Sequence, residues 1–263
     1  MGRGLEVLLA VATRVSSGNG GASASDIASD LGRDRSQVSR GLNAMRARGL
    51  VSRGSTSRAY ELSWQFYADA QRLTEQRLRT DGLTALENLV EDTGEACYLG
   101  VLSGDTTVTI GERVPVGNTI IGSWVGRPFP AYCSDAGQAL LWDAPDDEVR
   151  AVFAKTQFNK HGPNTPWSIE EFLSRLMAAR SRGYSIVDEE AEPGLYSVAV
   201  PIRDYRSEVV AALQVVGPKS RLEPKCESHA AALLRWSGWL ENALGTPQGS
   251  SDSIGEARSE PLG

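Results

Sequence analysis

Between Ser23 and Gly49 the chain twice carries the same local instruction. Ser23 with Asp26 three residues on is a capping-box signature, and Asp34 with Gln37 repeats the device. Each pair can satisfy orphan N–H groups that open a helix. The first helix is expected to end at Leu31-Gly32. The second carries Val38, Leu42 and Met45 at i, i+4 and i+7 facing inward, with Gly49 closing it as a C′ residue. Two short capped helices joined by a Gly-bearing turn narrow the choice of local fold to a helix-turn-helix.

The flanks extend this reading. Leu5, Leu8, Leu9 and Ala12 recur at helical spacing, so residues 3–15 are expected to form an amphipathic helix. Residues 50–53 and 59–62 read as two short strands around a Gly54-to-Arg58 turn. Helices followed by a hairpin make a winged helix-turn-helix over residues 1–62. With Val38, Leu42 and Met45 inward, the opposite face offers Arg35, Ser36, Gln37, Ser39, Arg40, Asn43 and Arg46. That face holds no acid. Arg and Gln make bidentate contacts to base edges, Ser reaches phosphates or bases, and Arg53 and Arg58 on the hairpin can follow the backbone. A solvated basic face is the bland alternative, but chain pattern and charge coincide on the same thirty residues.

The net charge of −6 looks unfavourable for nucleic acid until it is divided. Residues 1–80 hold twelve Arg, no Lys and seven acids, a net of +5. The remainder carries −11, so a basic head is joined to an acidic body. The apolar share of 41% is enough for real cores and excludes wholesale disorder. No apolar run approaches the ~18 residues of a membrane span, no signal-peptide pattern is seen, and three cysteines form no disulfide framework. A cytoplasmic protein without membrane contact is expected.

Residues 63–80 read as a linker helix, with Asp81-Gly82 as a boundary and a second helix carrying Leu83, Leu86, Leu89 and Val90. Strands are expected at 96–102, 107–113, 184–187, 196–202 and 209–216, with an irregular Gly- and Pro-rich stretch from Pro115 to Pro130. Helices are expected near 135–142, 146–154 and 168–182, and a last one carries Leu233, Trp236, Leu240 and Leu244. Short connections favour mostly antiparallel pairing. Beyond Gly245 no apolar stripe remains, so residues 246–263 are expected to be a disordered tail.

Catalytic and metal chemistry find little support. Cys133-Ser134-Asp135 suggests a nucleophile, but His161 and His229 have no diagnostic spacing and no G-x-S-x-G elbow is present. Cys97, Cys133 and Cys226 with two isolated His give no metal-ligand pattern, and the glycines are too spread to cradle a phosphate. The acidic run Asp188-Glu189-Glu190 reads better as a turn with Arg or helix partners than as a cation site. No catalytic residue, metal or cofactor is expected, and the chain is not expected to be an enzyme.

From about Gly2 to Pro218 the chain resembles the IclR family of bacterial transcription regulators. The resemblance rests on GRGLEVLLAVA, on ASDIASDLGRDRSQVSRGLNAMRARGLVSR and on AYEL. More specific are Thr93-Gly94-Glu95, Gly126-Arg127-Pro128, the run Asp135 to Leu141, the run Arg182 to Glu190, GLYSVAVPIRD and VVAALQVVGP. It implies an α+β chain with a winged helix-turn-helix (1–62), a linker helix (63–80) and a C-terminal α/β effector-binding domain (81–245) with a mostly antiparallel sheet. It also implies a homodimer or dimer of dimers on a palindromic operator in double-stranded DNA, and a small-molecule effector. Carried over by position, the effector pocket has Tyr132, Cys133, Ser134, Asp135 and Ala136 along one wall. Val187, Leu195 and Ser197 line a second, and Gln214 and Val216 a third. Family members often carry an acid at the position of Val187 and small hydroxyl residues at Gln214 and Val216. With Tyr98 and Trp124 adding aromatic surface, these departures favour a flat, aromatic effector over a small oxo-acid, one carrying an amine, amide or hydrazide-like donor for Asp135. The expected function is a ligand-responsive DNA-binding regulator, a repressor rather than an activator. An enzyme with an appended basic domain, and an architectural DNA binder without effector control, are the alternatives.

Overall fold

Three helices and a hairpin close around one small core in the first part of the chain. The computed structural model describes residues 2–16, 21–54, 59–117 and 123–245. The chain divides into two compact units, the first ending at Glu75 and the second beginning at Gln76. The expected tail at 246–263 and Arg58 lie outside the described residues.

The first unit contains α1 (Gly2–Ser16), α2 (Ala24–Asp30), α3 (Arg35–Ala47), β1 (Val51–Arg53) and β2 (Tyr60–Leu62). The Ser23 capping box forms: Ser23 Oγ accepts from Asp26 N at 3.2 Å, and Asp26 accepts from Ser23 N at 3.0 Å. Past α3, Gly49 N donates to Arg46 O and Leu50 N to Met45 O, the paired bonds of a Schellman motif, with Gly49 at φ +74°. Ile27, Val38, Leu42, Val51 and Tyr60 form the core. From α1 that core takes Val7 and Val11, which corrects the expected inward stripe: Leu5 and Leu9 are 59% and 56% exposed. Both faces of α1 are apolar, so spacing alone could not choose between them.

Helix α4 (Trp64–Thr93) carries the chain into the second unit as one helix of 30 residues. It does not break at Asp81-Gly82. A Cβ at Gly82 would lie 2.6 Å from Leu99 Cδ2, so this glycine serves close packing on the sheet rather than termination.

The second unit is built on β3 (Ala96–Ser103), β4 (Thr106–Arg113), β5 (Pro128–Pro130), β6 (Ser185–Asp188), β7 (Leu195–Arg203) and β8 (Val209–Pro218). They form one sheet in the order β5-β4-β3-β8-β7-β6, antiparallel throughout. The stretch expected to be irregular thus supplies the edge strand β5. Short helices α5 (Gly137–Leu140), α6 (Asp146–Val152) and α8 (Lys219–Leu222), with the longer α7 (Ile169–Arg182) and α9 (Cys226–Ala243), complete it. One sheet face buries Leu99, Val198, Leu213 and Val215 against Leu86 and Leu89 of α4 and Leu233 and Leu240 of α9. On the other face Ala199 and Ala212 meet Ala136, Ala139 and Leu140 around α5. Behind α5, Phe153, Phe172 and Leu176 form a separate core with Tyr132 and Cys133.

Two glycines have different reasons to be glycine. A Cβ on Gly137 would sit 1.7 Å from Ala131 O, whereas Gly104 turns β3 into β4 at φ +61° with nothing within 4 Å. Gly137→Ala should therefore cost more than about 3 kcal/mol by forcing the backbone to move. Gly104→Ala should cost only the left-handed penalty of about 1–2 kcal/mol. Urea unfolding of the two variants should separate them in that order; equal losses would refute the predicted clash.

Candidate functional site

Two sites emerge, one in each unit. On α3, Arg35, Ser36, Gln37, Arg40, Asn43 and Arg46 are exposed, and Ser39 is half-buried beside the buried Val38 and Leu42. Asp34 accepts from Ser36 N (2.9 Å), Gln37 N (3.2 Å) and the Ser36 hydroxyl, which is therefore engaged rather than free. The Ser36 hydroxyl and these two N–H groups hold the Asp34 carboxyl below its usual range, fixing a negative charge at the helix N-terminus. Tyr60 OH lies 3.5 Å from Asn43 Oδ1, and the guanidinium of the exposed Arg53 sits over the Tyr60 ring. Arg33, inside the basic run, bonds Glu6 and the Arg3 carbonyl and is taken up within the unit. What remains outward is a row of Arg35, Gln37, Arg40 and Arg46.

In the second unit a cavity of about 450 Å³ opens on the sheet face away from α4 and α9. Strand alternation decides its wall. Ala96 and Tyr98 of β3, Thr107 and Thr109 of β4, Leu195 of β7, and Gln214 and Val216 of β8 point to it. Their neighbours Cys97, Leu99, Leu213 and Val215 go to the core. Ser134, Asp135 and Ala136 close one side and residues 191–194 another. Trp124, Arg127 and Phe129 form a third side, tethered to β4 by Trp124 N to Glu112 Oε2 (2.8 Å) and Gly126 N to Thr109 O (2.8 Å).

Eight of the twelve expected pocket residues meet here: Tyr98, Trp124, Ser134, Asp135, Ala136, Leu195, Gln214 and Val216. Four do not, and the expectation is corrected for them. Tyr132 and Cys133 turn into the core behind α5, where Tyr132 OH donates to Asn159 O at 2.9 Å. The reason is the tight turn from Pro130 to Gly137, which sends successive side chains to opposite sides. Val187 pairs with Ser197 across β6 and β7, both buried beyond the cavity wall. Thr107 and Thr109 were missed, although their alternation with Val108 and Ile110 carries the signal. Arg127, Arg221 and the 191–194 rim carry no comparable local signal.

The electrostatics are uneven. Burial pushes the Asp135 carboxyl up to about 6; the Ser197 hydroxyl opposes this and the Glu192 charge adds to it. Among the described residues, Asp135 Oδ1, Gln214 Oε1 and Ser134 Oγ are buried without a hydrogen-bond partner. Glu190 is pushed up to about 7 by burial, against its ion pair with Arg175 at 2.6 Å. Asp188 and Glu189 pair with Lys219, so each acid of the 188–190 run has a basic partner. Arg221 grips buried Glu95 with two bonds of 2.6 Å. Tyr98 is pushed up to about 12 by burial and remains a neutral hydroxyl.

Burial likewise raises the Cys133 thiol to about 12, and its hydrogen bonds to Pro130 O at 3.7 Å; this is an inert, structural cysteine. Among the described residues no cluster of three or more His, Cys, Asp or Glu could hold a metal, and no helix is long and apolar enough to cross a membrane.

Comparison with known proteins agrees with the architecture. Residues 70–238 match the model for the C-terminal part of the bacterial transcriptional regulator IclR. The chain is 30% identical over 201 residues to the HTH-type transcriptional regulator KdgR of Escherichia coli (strain K12), covering 76% of each. It is 28% identical over 226 residues to the HTH-type transcriptional repressor AllR of Klebsiella pneumoniae, covering 84% of this chain and 81% of that one. The fold is shared with an IclR homologue from Microbacterium hydrocarbonoxydans solved with 4-hydroxybenzoate, at TM-score 0.58 and 23% identity over 92% of this chain and 98% of that one. With the helix-turn-helix, the antiparallel sheet and a family match spanning most of the second unit, this chain belongs to the IclR family of bacterial transcriptional regulators.

Proposed function

We propose that this chain is a ligand-responsive repressor acting in the bacterial cytoplasm. In this reading residues 1–62 bind an operator in double-stranded DNA, and the unit that follows α4 binds a small effector that changes operator affinity. Regulators of this family bind DNA and small-molecule effectors. One observation carries the effector reading: three buried, unpartnered polar atoms on Ser134, Asp135 and Gln214 at a cavity with Tyr98, Trp124 and Phe129 on its walls. A buried acceptor without a partner is costly, and a ligand that donates to it recovers that cost. The favoured effector is flat and aromatic, with an amine, amide or hydrazide-like donor for Asp135. Calorimetric titration showing tight binding of a small oxo-acid and none of aromatic amides would sink this choice.

On the DNA side, Arg35, Gln37, Arg40 and Arg46 form the reading face, with Ser39, Asn43 and Arg53 at its margin. Exposed Leu5 and Leu9 on α1 support self-association through the first unit, as a homodimer or dimer of dimers on a palindromic site. An enzyme would need a base beside the buried Cys133, whose thiol donates instead to the Pro130 carbonyl. An architectural binder has no use for the cavity.

Arg40→Ala should weaken operator binding and lower the slope of log K against log salt by about 0.9, one phosphate contact. Arg33→Ala should leave that slope unchanged, because Arg33 is bound to Glu6. Fluorescence anisotropy across a salt series tests both; an unchanged slope in Arg40→Ala would remove it from the interface. Replacing Leu9 with Glu should shift light-scattering mass toward the monomer, and an unaltered mass would count against pairing through α1.

Asp135→Asn should abolish effector release of the operator while leaving ligand-free operator binding intact. It should also reveal the strain in the site. The folded pKa of about 6 exceeds the ordinary 3.8, so ionising Asp135 costs native stability. The wild type is free of this cost below about pH 4 and bears it in full once pH has risen through 6. Thermal melts should therefore show the variant more stable than wild type at pH 8, with the gain gone below about pH 4. A pH-independent difference would contradict this.

A further inference from the structure

The second rim guanidinium of the cavity differs from nearly every other arginine of its unit. Arg113, Arg150, Arg175, Arg203, Arg206 and Arg235 each hold a carboxylate, and Arg180 donates to three backbone carbonyls. Arg221, also on the rim, is taken up by Glu95. Arg127 lines the cavity, is exposed, and stacks over the Trp124 ring at 5.7 Å; among the described residues no carboxylate pairs with it. Glu192, the acid of the same rim, is exposed as well and makes no ion pair with Arg127. Stacking engages the face of a guanidinium and leaves its N–H edge available for a planar, bidentate acceptor.

The opposite character holds at the closed side. Asp135 Oδ1 is shielded from solvent and lacks a donor, as does Gln214 Oε1 beside it on the wall. The cavity thus has an acceptor end that is dry, a cation end that is wet, and aromatic walls from Tyr98, Trp124 and Phe129 in addition.

Resting on the reading of this cavity as the effector site, we propose that the effector is two-ended: a planar aromatic acid whose N–H donor meets Asp135 and whose carboxylate pairs with Arg127. The amino-substituted aromatic acids are the simplest members of that class. The donor end is desolvated and oriented by buried acceptors; the acid end stays at the mouth, where it loses less hydration on binding. Arg127 sets preference for an acid over its neutral amide, and Asp135 sets preference for a donor-bearing ring over a bare one.

Calorimetry on the full chain with 4-aminobenzoate, 4-aminobenzamide, benzoate and aniline tests this. 4-Aminobenzoate should bind about tenfold or more tighter than benzoate, which lacks the donor, and than aniline, which lacks the acid. Arg127→Gln should weaken 4-aminobenzoate by about tenfold and leave 4-aminobenzamide within about twofold. Equal weakening of both, or no weakening of either, overturns the role of Arg127. Failure of all four probes on protein that still binds its operator overturns the two-ended class. If an aliphatic oxo-acid then releases the operator, the cavity remains an effector site and only this proposal falls.

Discussion

The pleat of the two central strands organises the second unit. In β3 and β8, paired antiparallel, Cys97 lies opposite Val215 and Leu99 opposite Leu213, and these side chains pack under α4 and α9. The intervening pair, Tyr98 opposite Gln214, projects to the other side and becomes cavity wall. Because side chains alternate with period two, the apolar set that anchors the helices fixes which residues are left for the pocket. A one-residue slip of β8 would exchange Gln214 and Leu213, destroying core and cavity together. Gly100, on the cavity side, keeps this register workable: a Cβ there would come within 3.3 Å of the Gln214 amide and 3.4 Å of Ala136.

On that frame the charged groups fall into two kinds. Some hold the scaffold. Glu95, almost fully buried, is gripped by Arg221, and Glu190 by Arg175, while Lys219 ties Asp188 and Glu189 to the start of α8. Glu189 is held at φ +55° with its carboxylate accepting from Gly194 N at 2.7 Å, so the rim at 191–194 is pinned from both ends. Asp135 is of the other kind. Its Oδ1 is shielded from solvent, no cation among the described residues pairs with it, and burial raises its pKa rather than an ion pair lowering it. A scaffold would gain from removing such a group, which is the reason to seek its role in recognition.

How much was legible followed from how local each determinant is. Helix α3 and its outward row were readable because a cap, a period of 3.6 and a C′ glycine all agree within fifteen residues. Six strands and their antiparallel pairing were nearly so, apart from β5, whose two prolines mask an edge strand. Failures arose where tertiary contact overrides local pattern. In α1 two apolar faces compete, and the core chose Val7 and Val11 over Leu5 and Leu9. Gly82 has the look of a helix breaker yet is required by Leu99. Family position took Tyr132 and Cys133 together with the cavity-lining Ser134, Asp135 and Ala136, because a tight turn reverses direction within one or two residues. Arg127 was invisible as a pocket residue, since its placement depends on a loop tethered to β4 by the non-local bonds Trp124 N to Glu112 and Gly126 N to Thr109.

A regulator must do more than hold its effector, since a ligand with equal affinity for two conformations shifts neither. Moving a two-state equilibrium from 1:99 to 99:1 takes about 5.5 kcal/mol of differential binding. On the proposed reading, three buried polar atoms without partners among the described residues, on Ser134, Asp135 and Gln214, would be a physical source of that difference. Each unsatisfied group costs roughly 1–3 kcal/mol. An effector that satisfied all three in one conformation and none in the other would supply on the order of 3–9 kcal/mol of bias, which brackets the requirement. The same groups would be a defect in a protein that only needed to be stable. On the proposed reading, their cost without ligand and its recovery on binding are two sides of one free energy, and that linkage is how a small molecule would bias operator affinity.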